Sequence, residues 1–145
     1  MVAVVGIPFD AYSSFMQGPA LAPAKIRKAW ESGSMNLCAE SGIDLETHTN
    51  FVDLGDLDIA GAPAIIEKIA ATIDELLSHG VRLISLGGDH AITDPVLKSH
   101  STRLAKLDIL HLDAHPDLYD SYDGNRYSNA CPFARIMEEK LVSRL

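Results

Sequence analysis

The sequence predicts an α/β fold with a mostly parallel sheet covered by helices on both faces. Three observations carry this. Short apolar runs rich in β-branched residues occur at 2–8, 81–88 and 107–115. Segments with helical periodicity stand between the strand-like runs, so strand and helix alternate along the chain. Alternation of that kind marks βαβ units, because parallel neighbours need a crossover connection.

Each element has its own signal. Residues 2–8, VAVVGIP, form a β-branched run closed by Pro8 and read as a buried strand. The stretch 10–19 is rich in turn formers and reads as a loop. Pro23 opens a helix to about Glu31, with Ile26 and Trp30 on one face. Residues 32–50 lack periodicity and read mostly as loop. FVDLGDLDI, 51–59, alternates apolar and acidic positions, as an edge strand or a strand with one wet face does. The clearest helix is 63–79, with Pro63 in its first turn, Gly80 just past its end, and Ile65, Ile66, Ile69, Ile73, Leu76 and Leu77 at helical spacing. VRLISLGG, 81–88, reads as a buried strand. A helix from Thr93 or Asp94 to about Leu104 follows, with Asp94 as its cap. LDILHLDAH, 107–115, is expected as the fourth strand, 116–128 as a loop, and a last helix starts near Pro132.

Composition narrows the function classes. The 145 residues suit a single domain, and 47% hydrophobic content can form a core. The net charge of −8 matches phosphate backbones poorly and suits a cation, so no nucleic acid is expected as partner. No apolar run is long enough to cross a bilayer, so no membrane is expected either. Two cysteines, Cys38 and Cys131, give no disulfide framework. Met1–Gly6 has no basic stretch before its apolar residues, so no signal peptide is expected and the cytoplasm is the expected location.

Ligands of parallel sheets bind beyond the carboxyl ends of the strands. Two such ends carry metal-type residues: Leu86-Gly87-Gly88-Asp89-His90, and His111-Leu112-Asp113-Ala114-His115-Pro116-Asp117. In extended chain Asp113, His115 and Asp117 share one side, and His90 can reach the same place. Two imidazoles with two carboxylates suit Mn²⁺, Fe²⁺, Co²⁺, Ni²⁺ or Zn²⁺. A carboxylate can bridge two ions, and a two-ion site activates water. His111 shares the phase of Asp113 but reads as a satisfied buried histidine. Asp89 reads as support for its neighbour His90, Cys131, Trp30 and Phe133 as packing residues, and Asp120 and Asp123 as solvated loop charges. A phosphoesterase is a competing class, but no P-loop-type glycine motif is present.

These motifs, with Gly6-Ile7-Pro8-Phe9, Gly18-Pro19-Ala20 and NRYSNACPFARIM at 125–137, resemble the ureohydrolase family of arginases and agmatinases over essentially the whole chain. The resemblance implies a three-layer α/β/α fold and a binuclear Mn²⁺ site, in which His90 and Asp117 hold one ion, His115 the other, and Asp113 bridges. It implies a small cationic guanidino substrate, cleaved by water to urea and an amine, and a homo-oligomer, trimer or hexamer. It also implies that residues 1–145 are the N-terminal half of one domain, because the family's remaining metal carboxylates lie in a later Asp-x-Asp-x-x-Asp-Pro motif. At Ser128-Asn129 the family carries Ser-His, where the histidine serves as proton shuttle. Asn129 cannot titrate near neutral pH, so the hydrolase is expected to be impaired, by this residue and by truncation; the alternative is an inactive remnant that binds metal weakly or serves as an interaction subunit. Asn125-Arg126-Tyr127-Ser128 departs from the arginase pattern that reads an amino-acid carboxylate, which favours agmatine-like substrates.

Overall fold

The computed structural model describes residues 1–48, 50–104 and 107–145. Three parallel strands form one sheet in the order β2-β1-β3, with β1 at Val2–Ile7, β2 at Phe51–Asp56 and β3 at Arg82–Gly87. The helices are α1 (Ala22–Trp30), α2 (Ile65–Ser78), α3 (Thr93–Ser101) and α4 (Pro132–Glu138), with 3₁₀ turns at Pro19–Leu21 and His90–Ile92. The three strands fall within the expected runs 2–8, 51–59 and 81–88, and β2 is an edge as its alternation suggested, but β3, expected to be buried, is the other edge among the described residues and leaves Ile84 exposed.

Period-two alternation along β1 places the helices on opposite faces. Val5 and Ile7 join Ile69 and Ile73 of α2 in the buried core, together with Phe9, Leu57, Ile59 and Ile92. Ile69 and Ile73 are fully buried, a burial that contributes about 1.5–3 kcal/mol for each side chain. Gly6 points the other way. A Cβ there would stand 2.9 Å from Pro23 of α1, so the missing side chain lets α1 lie flat on the sheet. Arg27 of α1 then clamps β2: Nε donates to Asp53 at 2.7 Å, Nη2 donates to the Gly55 carbonyl at 3.0 Å, and Nη1 pairs with Asp56. On the opposite face Ser99 ties α3 to α2 by donating to the Ala70 carbonyl at 2.8 Å.

The expected fourth strand at 107–115 is not a strand in the structure. Among the described residues it makes one isolated bridge, Asp108 with Arg144. The segment 107–112 keeps the alternation of a strand, with Leu107, Ile109 and His111 partly buried and Asp108, Leu110 and Leu112 exposed. Its backbone bonds to a neighbour stop at the Ile109 amide donating to the Arg144 carbonyl at 2.9 Å and the Ser143 amide donating to the Leu107 carbonyl at 2.8 Å, too few to extend the bridge into a ladder. Leu110 and Leu112 are left 84% and 85% exposed on the outer side. The third helix also differs from expectation, ending at Ser101 rather than near Leu104.

Candidate metal centre

The crossovers determine where a site can form. From β1 the chain passes through α1 to β2 on one side. From β2 it returns through α2 to β3 on the other side of β1. The crevice at the carboxyl ends of β1 and β3 is therefore a topological switch point. Gly88 closes its floor. A Cβ at Gly88 would lie 1.9 Å from the Phe9 carbonyl oxygen, so only glycine lets the two strand ends meet. The Gly88 and Asp89 amides donate to the carbonyls of Ile7 (3.2 Å) and Phe9 (2.8 Å).

Asp89 then fixes the turn that carries His90. Its Oδ1 accepts from the Ala91 amide at 2.9 Å, and its Oδ2 accepts from Ser13 Oγ at 2.8 Å. Burial pushes the Asp89 carboxyl above its ordinary value, against the pull of those two donors. The supporting role expected for Asp89 is this cap.

His90 Nδ1 lies 2.5 Å from Asp117 Oδ2. Asp117 reaches it from a left-handed backbone conformation, φ 47°, which aspartate tolerates better than most residues. The Phe133 amide donates to the Asp117 carbonyl at 3.2 Å, and Arg135 Nη2 donates to Asp120 Oδ1 at 2.8 Å, so α4 holds the 116–128 loop from two points. Asp120 is thus an ion-pair partner of Arg135, whose guanidinium lowers its carboxyl, rather than only a solvated charge. Phe133 is buried as expected, and it also walls the site. Its ring centroid is 5.3 Å from that of His90 and 4.3 Å from that of His111.

His90, His111, Asp113 and Asp117 converge. One donor atom from each lies within 4.8 Å of the others. Asp113 is held below the ordinary carboxylate range, chiefly by the His115 amide donating to its Oδ1 at 3.0 Å, so it is ionised and ready to ligate. His111 Nε2 stands 3.6 Å from Asp113 Oδ2 and is buried without a hydrogen-bond partner among the described residues. The expectation of a satisfied histidine is therefore corrected. An orphaned buried nitrogen costs about 1–3 kcal/mol unless something in the site occupies it.

His115 sits elsewhere. Its ring is 78% exposed, with Nδ1 3.6 Å from Asp113 Oδ1, and it stands outside the convergent group. The parity that linked Asp113 to His115 requires extended chain, but residues 113–115 bend, and the Asp113 carboxylate folds back on the His115 amide. Upstream of the bend the alternation holds, so His111 and Asp113 share a side. That shared phase was the signal in the sequence for His111.

Asn129 touches none of these four residues' hydrogen bonds. Its Oδ1 accepts from the Ser14 amide at 2.8 Å and from Ser128 Oγ at 3.1 Å, which ties the first loop to the one before α4. Asp94 was expected to cap α3. It stands in the first turn without a capping bond, and its Oδ1 is buried and unpartnered. Cys131 is fully buried, in keeping with a packing role.

The described residues thus bring two imidazoles and two carboxylates together, and the two imidazoles with Phe133 also line a cleft of about 300 Å³. The arginase family model matches residues 1–145. The chain belongs to the arginase family. Among curated relatives, mitochondrial arginase 1 of Arabidopsis thaliana is 41% identical over 152 residues, covering 99% of this chain and 44% of that protein. An agmatinase of Neisseria meningitidis serogroup C is 36% identical, covering 96% of this chain and 46% of that one. Among solved structures, an arginase from Medicago truncatula superposes with a TM-score of 0.91 at 37% identity, covering 99% of this chain and 48% of its own. A Trypanosoma cruzi formiminoglutamase described with Mn²⁺ shares the fold at 20% identity and a TM-score of 0.81, covering 98% of this chain and 49% of its own. This arginase-family chain spans about half the length of the relatives it matches. Its three-stranded parallel sheet is the corresponding part of their fold.

Proposed function

We propose that this arginase-family chain serves the metal-dependent hydrolysis of a guanidino C–N bond, with release of urea and an amine. The observation that supports it is the convergence of His90, Asp113 and Asp117 at the β1/β3 switch point, in a chain of this family. His90 and Asp117 are assigned to one Mn²⁺, and Asp113 to the bridge toward a second ion that His115 helps to hold. Bound divalent ions supply Lewis-acid activation of water near neutral pH. The donor set fits such ions: the carboxylates are acidic or paired, and the orphaned His111 nitrogen faces them.

Asp89 and Gly88 hold His90 at the strand end, and Phe133 keeps one side of the site dry. The acidic chain favours approach of a small cation. The substrate is proposed to be agmatine-like, since residues 125–128 lack the pattern that reads an amino-acid carboxylate, and a homo-oligomer is proposed as the working form. The test is urea release from agmatine, arginine, guanidinobutyrate and guanidine, with and without Mn²⁺, beside a phosphate ester. Mn²⁺-dependent urea from agmatine above all is expected. Turnover of the ester alone would replace the reading.

Asn129 favours a second reading, an inactive family member that binds metal or a partner subunit. Its amide oxygen is engaged by Ser14 and Ser128, and the group cannot exchange protons near neutral pH. Metal binding with no urea from any substrate would establish it.

A further inference from the structure

We propose that the cavity between α1, β2 and the hairpin at 37–45 binds a small organic cation, an aliphatic amine or guanidine whose apolar stem carries its positive charge.

The cavity lies toward the amino end of the sheet, where Phe51 opens β2 opposite Val2 of β1, whereas the metal crevice lies at the carboxyl ends. Its volume is about 620 Å³, within the usual range for a small-molecule site. The inner wall is Trp30 at the end of α1 and Phe51, with ring centroids 5.2 Å apart. Arg27 fixes this wall by tying α1 to Asp53 and Asp56 of β2. The outer wall is the hairpin. Its Leu45 amide donates to the Leu37 carbonyl at 3.0 Å, and its Ala39 amide donates to the Ile43 carbonyl at 2.8 Å. Both walls are thus formed before a ligand arrives, which lowers the cost of binding.

The lining selects the charge. Glu31 from the inner wall, and Asp44 and Glu46 from the outer one, have no ion-pair partner among the described residues. The one cationic side chain that lines the cavity among the described residues, Arg27, is already taken by its two aspartates. Helix α1 ends here as well, and a helix carboxyl end favours positive charge. These carboxylates are too dispersed to grip a metal ion, because among the described residues the donors gather closely enough only at His90, His111, Asp113 and Asp117. Dispersed carboxylates around Trp30, Phe51, Met35 and Leu37 suit a cation with an apolar body. The aromatic rings attract its charge, and the aliphatic side chains cover its stem.

The chain carries its own reporters of occupancy. Trp30 is the single tryptophan, and Cys38, which lines the cavity, is exposed while Cys131 is buried. The experiment titrates the 145-residue chain with diaminobutane in the presence of chelator, following Trp30 fluorescence and the rate at which Cys38 reacts with a thiol reagent. A saturable fluorescence change is expected, with slower Cys38 reaction at the same midpoint, and the midpoint should rise with salt. The double variant Glu31→Gln, Glu46→Gln should raise it by about threefold to tenfold, through loss of two partly screened ion pairs. Both positions are exposed, and far-UV dichroism checks that the variant is folded. Butanol, and potassium chloride at matched ionic strength, should leave both signals unchanged. The inference is overturned if Trp30 shows no saturable change, if butanol or the salt alone reproduces it, or if the double variant binds like the parent.

Discussion

Asp94 offers the sharpest test of how burial acts in this fold. Its side chain enters the α3/α4 interface 4% exposed, with Oδ1 unpartnered. Burial pushes its carboxyl from the ordinary 3.8 up to about 6, helped by Glu139 and opposed by Lys98 and Arg135. A folded value above the unfolded one means that the folded state prefers the proton. The stability this contributes is complete below about pH 4 and is lost as the pH rises through about 6. The displacement corresponds to about 3 kcal/mol, the cost of carrying the ionised group at neutral pH. Asp94→Asn keeps the shape and removes the ionisation. The variant should match the parent near pH 4 and exceed it by up to about 3 kcal/mol near pH 7. Urea unfolding of both chains in chelator, at several pH values, measures the difference without metal contributing. A difference that does not vary with pH, or an Asn variant weaker at neutral pH, would refute the reasoning.

Other outcomes follow from single contacts. Gly88→Ala drives a Cβ against the Phe9 backbone and should lose about 1–3 kcal/mol or more, read by thermal melting, together with metal affinity at His90. Phe133→Ala removes the shared wall of both histidines and a fully buried ring; a loss of about 3–5 kcal/mol is expected in urea unfolding. Asn129→His should raise Mn²⁺-dependent urea turnover by at least about tenfold if the missing group is a proton carrier. The same change should lower stability by about 1 kcal/mol through the lost bond to the Ser14 amide, a drop visible in the melting curve.

Local order determines what the sequence alone specifies. Period-two and period-3.6 patterns and Gly80 located three strands and the long α2 helix, because those signals lie within a few residues of the structure they produce; Pro63, expected in the first turn of α2, stands just before its Ala64 N-cap. The strand-end motifs located the site, since parallel α/β sheets leave their carboxyl ends open. The rest depended on partners distant in sequence. The stretch 107–112 has a strand's alternation but, among the described residues, only a single bridge to Arg144, because a longer ladder needs a neighbouring strand to supply it. Whether His111 or His115 joins His90 depended on a bend at 113–115, where one carboxylate captures one amide and breaks the parity. The same holds for Asn129: its side chain could be recognised as unable to carry a proton, but only the folded chain brings Ser14 to it across the loop before α4. Patterns along the chain specify which faces are apolar; which polar groups meet is decided by packing, where each donor takes the acceptor that the fold brings within reach.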